Sequence, residues 1–139
     1  MAITQGFCVS AKSELFTGTH VIGTDVLKIA LYTSASTVGP ASTAYTATGE
    51  VTGTGYTAGG NTLTGVTITT SGSTVFLDFA DTAWTTATIT ARGCMVYNST
   101  KANRALAVYD FGADVASTAG TFTVVFPTPD ATNAVVRIT

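Results

Sequence analysis

VLKIALYT, residues 26–33, follows a Gly-Thr-Asp turn and puts Leu27, Ile29 and Leu31 on one face of an extended chain, with Lys28, Ala30 and Tyr32 on the other. This two-residue alternation predicts a core strand, and similar runs recur down the chain. VTITTSGSTVFLDF (66–79) reads as a hairpin about Ser71-Gly72, because Gly tolerates the positive φ a tight turn needs, with Val75, Leu77 and Phe79 as its apolar face. A turn over residues 81–86 carries Trp84. It leads into ATITARGCMVYN (87–98), where Ile89, Ala91, Met95 and Tyr97 share a side and Gly93 marks a bulge or a close backbone approach. RALAVYDF (104–111), TFTVVF (121–126) and AVVRI (134–138) supply further strands, the last set off by the prolines of PTPD. Only FCVSAKSELFTG (7–18) has helical spacing, with Phe7, Cys8, Ala11 and Leu15 on one side, Lys12 and Glu14 on the other, and Gly18 to end the turn. Six or seven strands with one N-terminal helix predict a mainly β chain, a small antiparallel β-sandwich forming one domain over residues 1–139.

Between the first strand and the hairpin lies a Gly/Ser/Thr-rich excursion, residues 34–65, whose only bulky side chains are isolated residues such as Tyr45, Val51 and Tyr56. Such a composition cannot fill a core by itself, and long irregular segments in small domains are commonly functional. Within the excursion, residues 38–61 are therefore expected to form an arm that contacts a neighbouring molecule through Tyr45, Tyr56, Gly59, Gly60 and Asn61. Removing that arm is expected to leave a folded core.

Charge narrows the range of partners. Only 10% of residues are charged, about 25% being usual, and thirty of the 139 are threonine. A mean hydropathy of +0.38 with a net charge of −2 gives weak self-repulsion, so part of the apolar surface is expected to lie against another chain. Six scattered Lys and Arg against eight carboxylates make no footprint for a phosphate backbone, which argues against direct nucleic-acid binding. No run approaches eighteen apolar residues and the N-terminus lacks a basic-then-apolar leader, so neither a membrane span nor a cleaved signal is expected, and Asn98-Ser99-Thr100 is an ordinary loop triplet. Cys8 and Cys94, far apart and outside any Cys-x-x-Cys, are expected to be buried thiols.

Several stretches resemble chemical motifs and lack their context. Asp110-Phe111-Gly112 spells a kinase magnesium triplet, but no phosphate lid, paired Lys and Glu, or catalytic-loop Asp accompanies it. GTGYTAGG (53–60) is followed by a strand-like run where a nucleotide site needs a helix N-terminus. The phrases FLDFADT and VYDFGAD echo one another, so Asp78, Asp81, Asp110 and Asp114 could converge on a hard cation if those corners were neighbours; as short side chains they also cap turns, which is the expected role. No carboxyl pair is marked for glycosidase work. His20, the one histidine, has no nucleophile motif beside it and is expected to be a partly exposed structural residue. Trp84 is expected to pack in the core or an interface. No enzymatic activity, cofactor or metal is predicted.

Taken in order, DVLKIALYTSAST, TAYTATGEVTGTGYTAGGNTLTG, FLDFADTAW, TITARGCMVYNSTKANRALAVYDFG and TFTVVFPTPDATNAVVRI resemble a small structural protein from the virion gene clusters of tailed bacteriophages, a likeness spanning residues 14–139. The resemblance implies a virion component made in the bacterial host cytoplasm. The preferred expectation is a capsid decoration (cement) protein that binds the major capsid protein on the outside of the expanded shell, together with copies of itself, as a trimer by analogy with other cement proteins. The alternative is a tail or head-to-tail component such as a baseplate or fibre-attachment subunit. A weaker alternative is a host-glycan-binding module.

Overall fold

The structure is a computed structural model that describes residues 2–130 and 132–139. The chain runs β1 (Gly6–Phe7), α1 (Val9–Phe16), β2 (Leu27–Tyr32), β3 (Asn61–Thr62), β4 (Thr67–Ser71), β5 (Thr74–Asp78), β6 (Thr82–Asn98), β7 (Arg104–Val124) and β8 (Val136–Ile138). Two antiparallel sheets, ordered β1-β7-β6-β2-β3 and β4-β5-β8, make the mainly β, one-helix architecture expected for a small sandwich. One apolar cluster reaches from Ile3 to Val135.

β2 forms where VLKIALYT predicts it, but alternation understates its burial. Leu27, Ile29 and Leu31 are buried, and so are Ala30 and Tyr32 on the opposite face. The excursion supplies the second cover. Val51 N–H donates to Leu31 O, Leu63 N–H to Leu27 O and Thr33 N–H to Gly49 O, which binds the segment along the edge of β2. The Tyr45 ring then stacks on Tyr97 of β6 at 4.9 Å, and the Tyr32 hydroxyl donates to Thr46 O. Val38, Val51 and Leu63 are themselves core residues. Residues 34–65 are thus a wall of the domain, and the expectation that removing the 38–61 arm leaves a folded core is corrected: deletion would strip the partners from one edge of β2 and take Val38 and Val51 out of the core.

α1 keeps its predicted place, with Cys8 and Ala11 fully buried beneath it and Gly18, at φ +71°, just past its end. The hairpin is also as read, except that its two-residue loop is Gly72-Ser73, since Ser71 pairs with Thr74; Gly72 takes φ +58° at the first central position, as a type II′ turn requires. Its expected apolar face holds in part: Phe79 is buried and Leu77 packs against the core, but Val75 is exposed and Phe76, on the other side of the strand, is buried as well.

The largest departure is β6 and β7, 17 and 21 residues long, in place of several short strands. Trp84 lies within β6 opposite Phe122, and the expected turn at 81–86 is a bulge at Thr85-Thr86, where Thr86 has φ +49°. Gly112 does not end the strand: residues 111–114 bulge out opposite Arg92, pairing resumes at Val115, and a second bulge falls at Thr118-Ala119. β1 covers β7 only at Ala107 and Val108, so beyond Asp110 its outer edge has no strand neighbour among the described residues. Gly93 is both bulge-flanking and closely approached; a Cβ there would fall inside the Tyr109 carbonyl and 2.9 Å from Ile3 Cδ1.

Candidate functional site

Three of the five residues expected to reach a neighbour, Tyr45, Tyr56 and Gly59, come together around one that composition did not single out, Glu50. Its side chain is enclosed, at 8% residue exposure, in a segment with no other charge. A buried carboxylate must be met by donors. Oε1 accepts from the Tyr56 hydroxyl at 2.7 Å and from Gly59 N–H at 2.7 Å, while Oε2 accepts from the Tyr45 hydroxyl at 2.6 Å. The network continues into the sheet. Leu31 N–H donates to the Tyr56 oxygen, and the Tyr97 hydroxyl donates to Gly59 O at 2.7 Å. Gly60 lies directly over β2, and Asn61 opens β3, its amide donating to Thr82 Oγ1 and Ala83 O.

Both tyrosine hydroxyls are therefore committed inside the domain. What the segment shows to the outside is the set of small residues between these anchors, including Ala44, Ala47, Thr48, Thr57 and Ala58, all exposed and uncharged. A rigid, close-packed backing with a neutral rim suits contact with a flat protein surface.

Burial pushes up the hydroxyls of all five tyrosines, and for Tyr45 and Tyr56 the Glu50 carboxylate adds to it. A proton held more tightly in the folded state contributes stability that is complete below the ordinary tyrosine value, about 10, and is lost as pH rises through the folded value. Stability is therefore expected to be flat up to about pH 9, to be lower by about 1 kcal/mol at about pH 10 and by about 2–3 kcal/mol at about pH 10.5 from Tyr32, Tyr56 and Tyr109 alone. Phenolate absorbance followed beside circular dichroism checks this; phenolates forming well before the fold is lost would refute it.

A second polar network ties α1 to the β6–β7 turn. The Asn98 amide donates to His20 Nδ1 at 3.0 Å and to Asp25 Oδ2 at 2.7 Å, while its Oδ1 accepts from Thr100 and Lys101 N–H. That orientation makes Nδ1 an acceptor, so Nε2 carries the proton and donates to Glu14 Oε2 at 2.6 Å. Glu14 Oε1 takes Arg104 at 2.9 Å. His20 is fully buried, which corrects the expected partial exposure: both ring nitrogens have partners, so burial leaves neither unsatisfied. For the same reason no ring nitrogen is left to serve a nucleophile. Burial opposes ionisation of Asp25, but bonds from Val21 N–H and Asn98 outweigh it and hold that carboxyl below its usual range.

The aspartate corners do not form a cation site: among the described residues no three of His, Cys, Asp and Glu gather as metal ligands. Asp81 accepts from Phe126 N–H, and Asp110 accepts from Gly112 N–H at 2.9 Å and Arg92 Nε at 3.0 Å. The Gly112 bond, then Arg92, holds the Asp110 carboxyl below its usual range, so the kinase-like triplet is an aspartate bracing a bulge. Asp114 approaches Arg92 at 3.9 Å, whereas Asp78 pairs with Thr67 on the other sheet. Cys8 and Cys94 are free and buried, and burial pushes their thiols up to about 11 and about 12. Trp84 is core, tilted against Tyr56 at 5.8 Å and edge-on to Phe122 at 6.2 Å.

No family model, curated protein or solved structure matches the chain.

Proposed function

We propose that the protein is a non-enzymatic structural subunit of a tailed-phage particle, a decoration protein that seats on the major capsid protein of the expanded shell beside copies of itself. The observation that carries this reading is the surface. Val9, Phe16, Val21, Val26, Ile68, Val75, Val115, Val125 and Ile138 all stand exposed on a chain with only 10% charged residues. An exterior of that kind suits a molecule held against other protein surfaces. The clasped 34–65 segment is the shell-facing element in this reading, because its small neutral tips are held rigid by Glu50 and lose little freedom on docking. Binding the expanded shell in preference to its precursor stabilises that state by mass action, with no covalent step.

Adding the purified protein to expanded shells that lack it tests the reading. Saturation at on the order of hundreds of copies per particle is the expected result for a surface lattice built by symmetric repetition. Saturation at a handful of copies on tails would move the assignment to a tail or head-to-tail component. Binding to neither overturns the virion reading, and in that case a host-glycan array is the next screen. Within the preferred reading, Ala47→Glu and Ala58→Glu should lower shell occupancy about tenfold while leaving thermal unfolding within about 2 °C of wild type.

A further inference from the structure

Between α1 and the β4-β5-β8 sheet runs a groove of about 170 Å³ whose walls expose only apolar surface. Leu15, Ile22 and Leu106 form one side, with Ile68, Leu77 and Ile138 on the other. Beside it lies a second hollow of about 440 Å³ that shares Phe7, Leu15 and Ile138 with the groove and is also lined by Phe16, Lys12 and Arg137. Phe16 is the last residue of α1 and is 95% exposed, the least covered large hydrophobic side chain among the described residues. An unfilled apolar slot thus sits beside an unburied aromatic ring on the same face.

We infer that this face is a self-recognition surface, in which Phe16 of one copy enters the α1/β4-β5-β8 groove of another. Size supports the occupant: an aliphatic cavity of about 150 Å³ admits a benzene ring, so a groove of 170 Å³ takes a phenyl side chain. Area supports the partnership. The exposed parts of Phe16, Ile68, Val75 and Ile138 offer roughly 450 Å² of apolar surface. At the ~65% apolar share of a homomeric contact this implies about 700 Å² per copy, close to the ~800 Å² of a standard interface. Because knob and slot share one face, the patch is self-complementary, and each copy can both give and receive a ring about a two-fold axis. The inference deepens the reading of a subunit that binds copies of itself, and it concerns a different surface from the 34–65 segment.

Sedimentation equilibrium of the full chain, without shells or tails, tests it separately from shell binding. Wild type is expected to associate with a Kd in the micromolar range, about 1–100 μM. Phe16→Asp removes the ring at an exposed site, and Ile68→Trp fills the slot from a 56% exposed position, so both variants should keep the fold. Each should weaken association by about tenfold or more, as loss of a central aromatic anchor does. An equimolar mixture of the two, in which one supplies the ring and the other the open groove, should form mixed pairs that neither forms alone. Wild type remaining monomeric at ~1 mM, or Phe16→Asp associating like wild type, overturns the inference.

Discussion

Gly60→Ala should cost at least about 4 kcal/mol, enough to leave much of the protein unfolded. Gly60 has φ +72°, and a Cβ built there would fall inside the carbonyl oxygen of Ile29 and 2.9 Å from Ala30 Cα. Neither atom can give way. Ile29 and Ala30 belong to β2, which is paired with β6 at Val96 and Met95, and Ile29 also pairs with Asn61 of β3. The methyl must therefore displace either β2 or the segment that covers it. Gly72→Ala separates this clash from backbone strain alone: φ is +58° there too, but nothing lies within 4 Å, so about 1 kcal/mol is expected. Urea midpoints of the two variants, compared at equal m-value, give the difference. Similar midpoints would show that the approach of Gly60 to β2 is not a fixed feature of the fold.

Glu50→Ala is expected to destabilise by about 3–5 kcal/mol, because it leaves two tyrosine hydroxyls and the Gly59 N–H facing a void that none of them can bridge. Glu50→Gln should cost only about 1–2 kcal/mol, since the amide oxygen can keep the Tyr56 and Gly59 bonds and the Tyr45 hydroxyl can turn to accept from the amide nitrogen. The order of the two variants is the informative part. Equal losses would mean that the negative charge, and not its oxygen geometry, holds the segment down. No loss in either would place the packing of Tyr45 on Tyr97 and of Val51 on the core ahead of the carboxylate.

Periodicity located β2, α1, the hairpin and β8 because each has a short repeat set by local geometry. It misjudged β6 and β7 because turn-like residues such as Gly112 sit at bulges inside one long ladder, and a bulge and a turn draw on the same residue types. It also could not show that residues 34–65 fold back, since their sparse apolar residues make no pattern of their own. One sign was present. Glu50 is the only charged residue between Lys28 and Asp78, flanked by tyrosines five residues before and six after, which is how a lone carboxylate with ready donors looks in sequence. The partners of His20 are not legible in the sequence, because Asn98 lies 78 residues away and β2–β6 pairing is what brings the turn to α1.

The interrupted outer margin of β7 has a bearing on how so neutral a chain avoids strand-to-strand pairing with its own copies. A run such as residues 112–124, with one charge and no proline, has the makings of a fibril template if laid flat. The kinks at 111–114 and at Thr118-Ala119 break the regular spacing of its hydrogen-bonding groups. An incoming strand could match only a few residues before losing register, so the irregularity protects against amyloid growth where lysines or prolines would serve in other proteins.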